Sequence, residues 1–308
     1  MDLSLSEQNW WRKFRQEARL ADYLVLVYGA WLILVASLFY QRLGSPIAAV
    51  SADCGLLFVT LLLIFRPADH SREAYRYLRA LLPLLTFAFF YTQSTAWDNL
   101  FFPNTFDHWL ANWDQALFGR PLHAQLAPAA NSIVVSEIMH FFYFSYYLLL
   151  FIPVLYLLYK RSTEAYQIVF NLTFMMYVHY LFFMIFPADG PVAEHQHLFG
   201  HGVVFIPLMN LIYEGSGQQG GGAFPSTHVA SAVMVFIYSW QVFRKLRPVF
   251  TIVCCGIILA TVYCCYHYAI DALAGMVSGT VFYFLGQAVY FRWNHVPQYL
   301  SQTALEYQ

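Results

Sequence analysis

His228 and His267 each open a hydrophobic segment, and Asp271 follows the second histidine by one helical turn. Imidazole is both a nucleophile and a proton donor near neutral pH. One such ring can attack phosphorus while the other protonates the departing oxygen. A carboxylate can meanwhile hold the attacker's second nitrogen protonated. Such a trio moves a phosphoryl group without a metal. Residues i and i+4 share a helix face, so His267 and Asp271 can touch if a helix begins near His267. Taken alone, an H-x-x-x-D pair is also an ordinary polar contact.

The run from Gly220 to His228 reads Gly-Gly-Gly-Ala-Phe-Pro-Ser-Thr-His. Pro225 suits the first turn of a helix. Ser226 and Thr227 then offer hydroxyls and free N–H groups at a positive helix end, which is an anion site. Gly222 and its two neighbours let backbone approach a ligand closely. The plainer alternative is a capped helix after a flexible loop. Ser226, Thr227 and Gly222 are therefore candidate phosphate contacts.

Hydrophobic elements must position these residues. The 308 residues are 59% hydrophobic and 11% charged, which points to a polytopic membrane chain. Apolar runs near the ~20 residues that span a bilayer predict eight helices, over about 21–40, 47–65, 78–94, 133–159, 165–186, 225–243, 248–266 and 269–291. The fold class is an all-α membrane helical bundle. Residues 1–20 form an interfacial amphipathic segment with Trp10, Trp11 and Phe14 among charges. The apolar stretch behind it is too long for a cleavable signal peptide and lacks a small-residue cleavage site. Residues 21–77 carry two accessory helices, 78–292 a six-helix core, and 293–308 a tail. A net charge of −1 argues against a nucleic-acid partner. The five cysteines lie in or beside apolar segments, so they read as packing residues rather than disulfides or zinc ligands.

Charge sets the orientation. With eight spans, 14 of the 16 basic residues fall on the N-terminal side, and only Arg42 and Arg120 on the other. The positive-inside rule puts the N-terminus in the cytoplasm. Both histidine motifs then face the periplasm, exterior or lumen. Asp53, Glu137, His140, His179 and Asp271 all fall in the half of the spans nearest the motifs. Ionisable groups inside a membrane are costly and tend to be functional. Alternatively they pair with one another around a wet cavity. His179 is thereby a further candidate contact for phosphate.

Pro225-Ser226-Thr227-His228 and His267-x-x-x-Asp271 together resemble the P-S-x-H and H-x-x-x-D motifs of the type 2 phosphatidic acid phosphatase superfamily. The resemblance covers the last six spans. It implies that His267 becomes a phosphohistidine, that His228 protonates the leaving group and that Asp271 supports the nucleophile. It implies no metal and no cofactor. Phe186-Pro187-Ala188-Asp189-Gly190-Pro191, the Tyr-His-Tyr around His267 and the Asp114-to-Gly119 stretch look most like the inositol phosphorylceramide synthase branch. One departure stands out. The wider superfamily has an arginine six residues before the nucleophilic histidine, and this chain has Thr261. Arg66-Pro67 resembles the superfamily's other basic motif but lies on the opposite side of the membrane. Arg120, in the loop before the fourth span, is then the candidate cation for phosphate or headgroup. His195, His197 and His201 form an H-x-H-x3-H group that could ligate a metal or be a solvated polar loop.

The expected activity is phosphoryl transfer from a lipid phosphate or phospholipid within the membrane. Water as acceptor makes a phosphatase; a ceramide or diacylglycerol hydroxyl makes a headgroup transferase, which the branch resemblance favours. A transporter would show repeats and matched broken helices, which are absent from this sequence. The intact trio argues against a catalytically dead lipid-binding scaffold.

Overall fold

The computed structural model describes residues 12–44, 46–66, 73–127, 132–215 and 220–294. Eight long helices fall where hydropathy predicts them. They are α1 (Leu20–Leu38), α2 (Pro46–Phe65), α3 (Glu73–Ala96), α6 (Ile133–Tyr159), α7 (Glu164–Ile185), α10 (Thr227–Val242), α11 (Arg247–Tyr263) and α12 (Ala269–Trp293). Shorter helices fill the two long loops: α4 (Asp107–Phe118), α5 (Leu122–Leu126), α8 (Val192–Leu198) and α9 (Phe205–Gly215). There is no strand among the described residues, only an isolated bridge between Ala188 and Gly222.

The protein is an all-α, polytopic helical chain, and six of its helices are long and apolar enough to cross a membrane. The other two long helices fall short for visible reasons. α3 is polar at both ends, with Glu73, Arg76 and Arg79 at one and Thr92 to Thr95 at the other. α10 has only 16 residues, below the ~20 that span a bilayer.

The chain divides into two compact units, Met1–Phe90 and Tyr91–Gln308. In the first, α1 packs on α2, and a buried ion pair joins Arg79 to Asp22 at 3.1 Å. Of the predicted interfacial segment, residues 1–11 lie outside the described residues. Phe14 is buried against Tyr23 and Phe65 rather than presented to lipid.

In the second unit α10 is central and packs against α6, α7, α11 and α12. Its contact with α12 is backbone-close: a Cβ at Gly279 would lie 2.4 Å from the Ala230 carbonyl oxygen. Small residues of this kind let membrane helices approach closely. Away from the motifs, buried polar groups cross-link the helices. Asn171 of α7 and Gln287 of α12 both donate to the Tyr238 hydroxyl of α10, at 2.6 and 3.0 Å. Such bonds are worth about 1 kcal/mol each in a membrane interior, where no water competes. α10 and α12 are therefore held in fixed register, and each carries one histidine motif at its start.

Candidate active site

Ser226 caps α10, its Oγ accepting the Val229 amide at 3.4 Å. Pro225 thus sits one residue outside the cap, not in the first helical turn as its usual preference suggests. Serine is the stronger N-cap and takes that place. The Ser226 amide donates to the Asp271 carbonyl at 3.1 Å, which ties the start of α10 to the first turn of α12. Thr227 and His228 are the first two residues of α10. Among the described residues no acceptor meets either backbone amide, so this helix start is open.

His267 lies in the turn between α11 and α12. The amides of Tyr266 and His267 both donate to the Thr261 carbonyl, at 3.2 and 3.1 Å. Thr261 carries no charge, but its carbonyl fixes this turn. Tyr268 caps α12, and Asp271 Oδ2 accepts the Tyr268 amide at 2.8 Å. His267 Nδ1 lies 3.5 Å from the same oxygen. That contact is longer than a formed N–H···O bond. Asp271 is fully buried and His267 nearly so.

The two imidazoles meet. Ring centroids of His228 and His267 are 5.7 Å apart and inclined by 62°. Tyr143 stacks on His228 at 4.7 Å, and Tyr146 closes on it at 4.2 Å. Tyr143 also stacks on Tyr266 at 4.4 Å, which carries the aromatic wall from α6 to the His267 turn. Nothing in the sequence marks these tyrosines, because i, i+3 aromatics on an apolar helix are indistinguishable from core.

The remaining candidates are placed as follows. Gly222 passes beside Tyr91, where a Cβ would lie 2.9 Å from the phenol oxygen. Arg120 is exposed just after α4, and among the described residues its guanidinium contacts none of His228, His267 or Asp271. His179 is buried in α7 beside Phe282, at a 5.7 Å ring separation. No contact among the described residues joins it to the histidine pair.

Of the ionisable groups near the motif ends of the spans, Glu137 bonds to backbone: it accepts the amides of Val203, Val204 and Phe205 at the start of α9. Asp107 accepts those of Asp189 and Gly190, and Asp189 accepts that of Gly221 at 2.7 Å. The Phe186-to-Pro191 motif is thus a scaffold that aligns the glycine run entering α10. Burial pushes the Asp98 carboxyl above the usual range, with the Asn99 bond opposing and Asp189 adding to it. His140 Nδ1 pairs with the Ser136 carbonyl at 2.7 Å. His195 is buried, its two ring nitrogens meeting the Cys264 carbonyl at 2.7 Å and Asn210 Oδ1 at 2.9 Å. Burial lowers its pKa while those bonds oppose the shift. His197 and His201 are exposed, so the H-x-H-x3-H group does not converge. Among the described residues no three His, Cys, Asp or Glu side chains gather as a metal site.

Among these apolar helices, two imidazoles and a buried carboxylate meet where α10 and α12 begin. Residues 108–285, more than half of the chain, match the PAP2 superfamily, and the chain belongs to that family. It is also similar, at 34% identity over 76 residues, to the inositol phosphorylceramide synthase catalytic subunit AUR1 of Saccharomyces cerevisiae. That match covers 25% of this chain and 18% of the yeast protein. No solved structure matches.

Proposed function

We propose that the protein is a lipid headgroup phosphotransferase that works through a phosphohistidine on His267. Asp271 holds Nδ1 of His267, leaving Nε2 to attack phosphorus. A P–N bond forms as the P–O bond to the departing lipid alkoxide breaks, and His228 gives that oxygen a proton. A second lipid hydroxyl, on a ceramide or diacylglycerol, then gives its proton to His228 and attacks phosphorus. The P–N bond breaks and His267 is restored. The open amides of Thr227 and His228, with Ser226 beside them, receive the phosphate oxygens. No step requires a metal.

The observation that carries this reading is the meeting of the two imidazoles at 5.7 Å beside the uncapped amides of α10, with Asp271 at 3.5 Å. Transfer is preferred over hydrolysis on the similarity to the yeast synthase subunit. Water as acceptor, a lipid phosphate phosphatase, is the second reading, and the family match supports it equally. Residues 78–292 are proposed as the catalytic core, with the site on the non-cytoplasmic face. Purified protein supplied with labelled phospholipids, with and without added ceramide or diacylglycerol, tests the choice. Acceptor-dependent headgroup transfer supports the first reading. Phosphate release indifferent to acceptor supports the second. Turnover of no phospholipid or lipid phosphate would refute both.

A further inference from the structure

Two helices begin at the histidine pair, and they begin differently. The first amides of α10 are open. Those of α12 are not, because Asp114 reaches them from α4. Its Oδ2 accepts the Ala269 amide at 3.2 Å and its Oδ1 accepts the Ile270 amide at 2.8 Å. Oδ2 also accepts the Leu122 amide at 3.3 Å. Asp114 is fully buried. With Asp271 taking the Tyr268 amide, carboxylates hold three successive amides at the start of α12.

A free helix N-terminus attracts anions. Without Asp114, two such ends would compete for the same phosphate, one of them directly under His267. A phosphate drawn to α12 would sit on the Asp271 side of the imidazole, away from His228. We infer that Asp114 is a positioning residue for phosphoryl transfer. It neutralises the start of α12, so that phosphate goes to α10 between the two histidines. It also anchors the first turn of α12, from which Asp271 faces His267. The inference rests on the proposed histidine mechanism. It explains why an aspartate opens the Asp-Gln-Ala-Leu-Phe-Gly stretch.

The test compares Asp114→Ala, Asp114→Asn and Asp114→Glu in the full-length protein, each checked for folding by thermal unfolding in detergent. Turnover and inhibition by inorganic phosphate and orthovanadate are measured together. In Asp114→Ala, kcat should fall on the order of 10–100-fold through misplacement. Phosphate and vanadate should at the same time inhibit roughly 3–30-fold more tightly, because a helix end has opened. Asp114→Asn, isosteric but uncharged, should move both quantities the same way by less, and Asp114→Glu should restore part of the turnover. A purely structural residue would lose turnover and anion affinity together. That joint loss, or unchanged values in Asp114→Asn and Asp114→Ala, would overturn the assignment. Wild-type protein that binds neither anion and turns over no lipid would instead overturn the underlying mechanism.

Discussion

Replacing Asp271 by asparagine exchanges one carboxylate oxygen for an amide nitrogen of nearly the same size. The site is fully buried, so shape is conserved and the consequence is electronic. The Tyr268 amide, now 2.8 Å from Oδ2, will keep the remaining side-chain oxygen as its acceptor. The new NH2 group then takes the Oδ1 position, which has no partner among the described residues. His267 Nδ1, 3.5 Å from that same Oδ2, keeps an oxygen beside it but loses the negative charge that favours a proton there. The proton is then shared with Nε2, the atom that attacks in the proposed mechanism. Loss of such an orienting carboxylate costs on the order of 10²–10⁴-fold in turnover, or about 2.7–5.4 kcal/mol at 1.36 kcal/mol per decade. Stability should change little, because the cap survives. Asp271→Ala removes the cap as well, and should lose about 1 kcal/mol of stability in addition to activity. The assay is turnover of a labelled lipid, trapping of acid-labile phosphoenzyme, and thermal unfolding for each variant. Asp271→Asn within about threefold of wild-type turnover, under ~0.7 kcal/mol, would refute the orienting role.

Other outcomes follow from the same geometry. His267→Ala should abolish both turnover and the phosphoenzyme, whereas His228→Ala should slow turnover more than vanadate binding; chelators should change nothing, and inhibition reversed by zinc would end the metal-free mechanism. In a background lacking the exposed Cys54 and Cys255, a cysteine at Val203 should react with an impermeant thiol reagent from the non-cytoplasmic side and one at Lys245 should not; the reverse pattern would sink the orientation. Gly279→Ala sets a methyl 2.4 Å from the Ala230 carbonyl, so it should cost about 1–3 kcal/mol and reduce turnover by parting α10 from α12; a variant as stable and active as wild type would contradict the close approach. Arg120→Gln should lower kcat/KM on the order of 10-fold if its exposed guanidinium meets a bound headgroup, against little change for Arg42→Gln; equal small effects leave the α10 amides as the main anion site.

Much of the architecture was legible because hydropathy and length are local properties. The eight long helices, the two helical loops' positions and the two histidine motifs all register within a window of about 20 residues. Helix starts were less legible. Ser226 and Pro225 both favour the entry to α10, and only the fold shows that the serine caps while the proline stands outside. The braces were not legible at all. Glu137 binds amides about 66 residues away, and Asp114 binds amides 155 and 156 residues away. An acceptor for backbone N–H imposes no residue type on its partner, so such a bond leaves no pattern in the sequence. His195 escaped for the related reason that its partners, a carbonyl and an asparagine, are not a motif.

The missing arginine at Thr261 fits this pattern of amide use. Around the histidine pair Asp107, Asp114, Glu137, Asp189 and Asp271 each accept backbone N–H bonds. They hold the loops while partly neutralising the positive ends of the helices and turns they bind. Of the helix starts that meet at the pair, α10 alone keeps its amides open among the described residues. An arginine introduced at Thr261 would bring a cation into a buried position whose carbonyl already fixes the His267 turn. A buried cation needs a paired anion, and the nearby carboxylates Asp114 and Asp271 already hold the amides that start α12. On the proposed mechanism, phosphate binding rests on backbone N–H groups and imidazoles, whose strength falls less with added salt than that of exposed arginines.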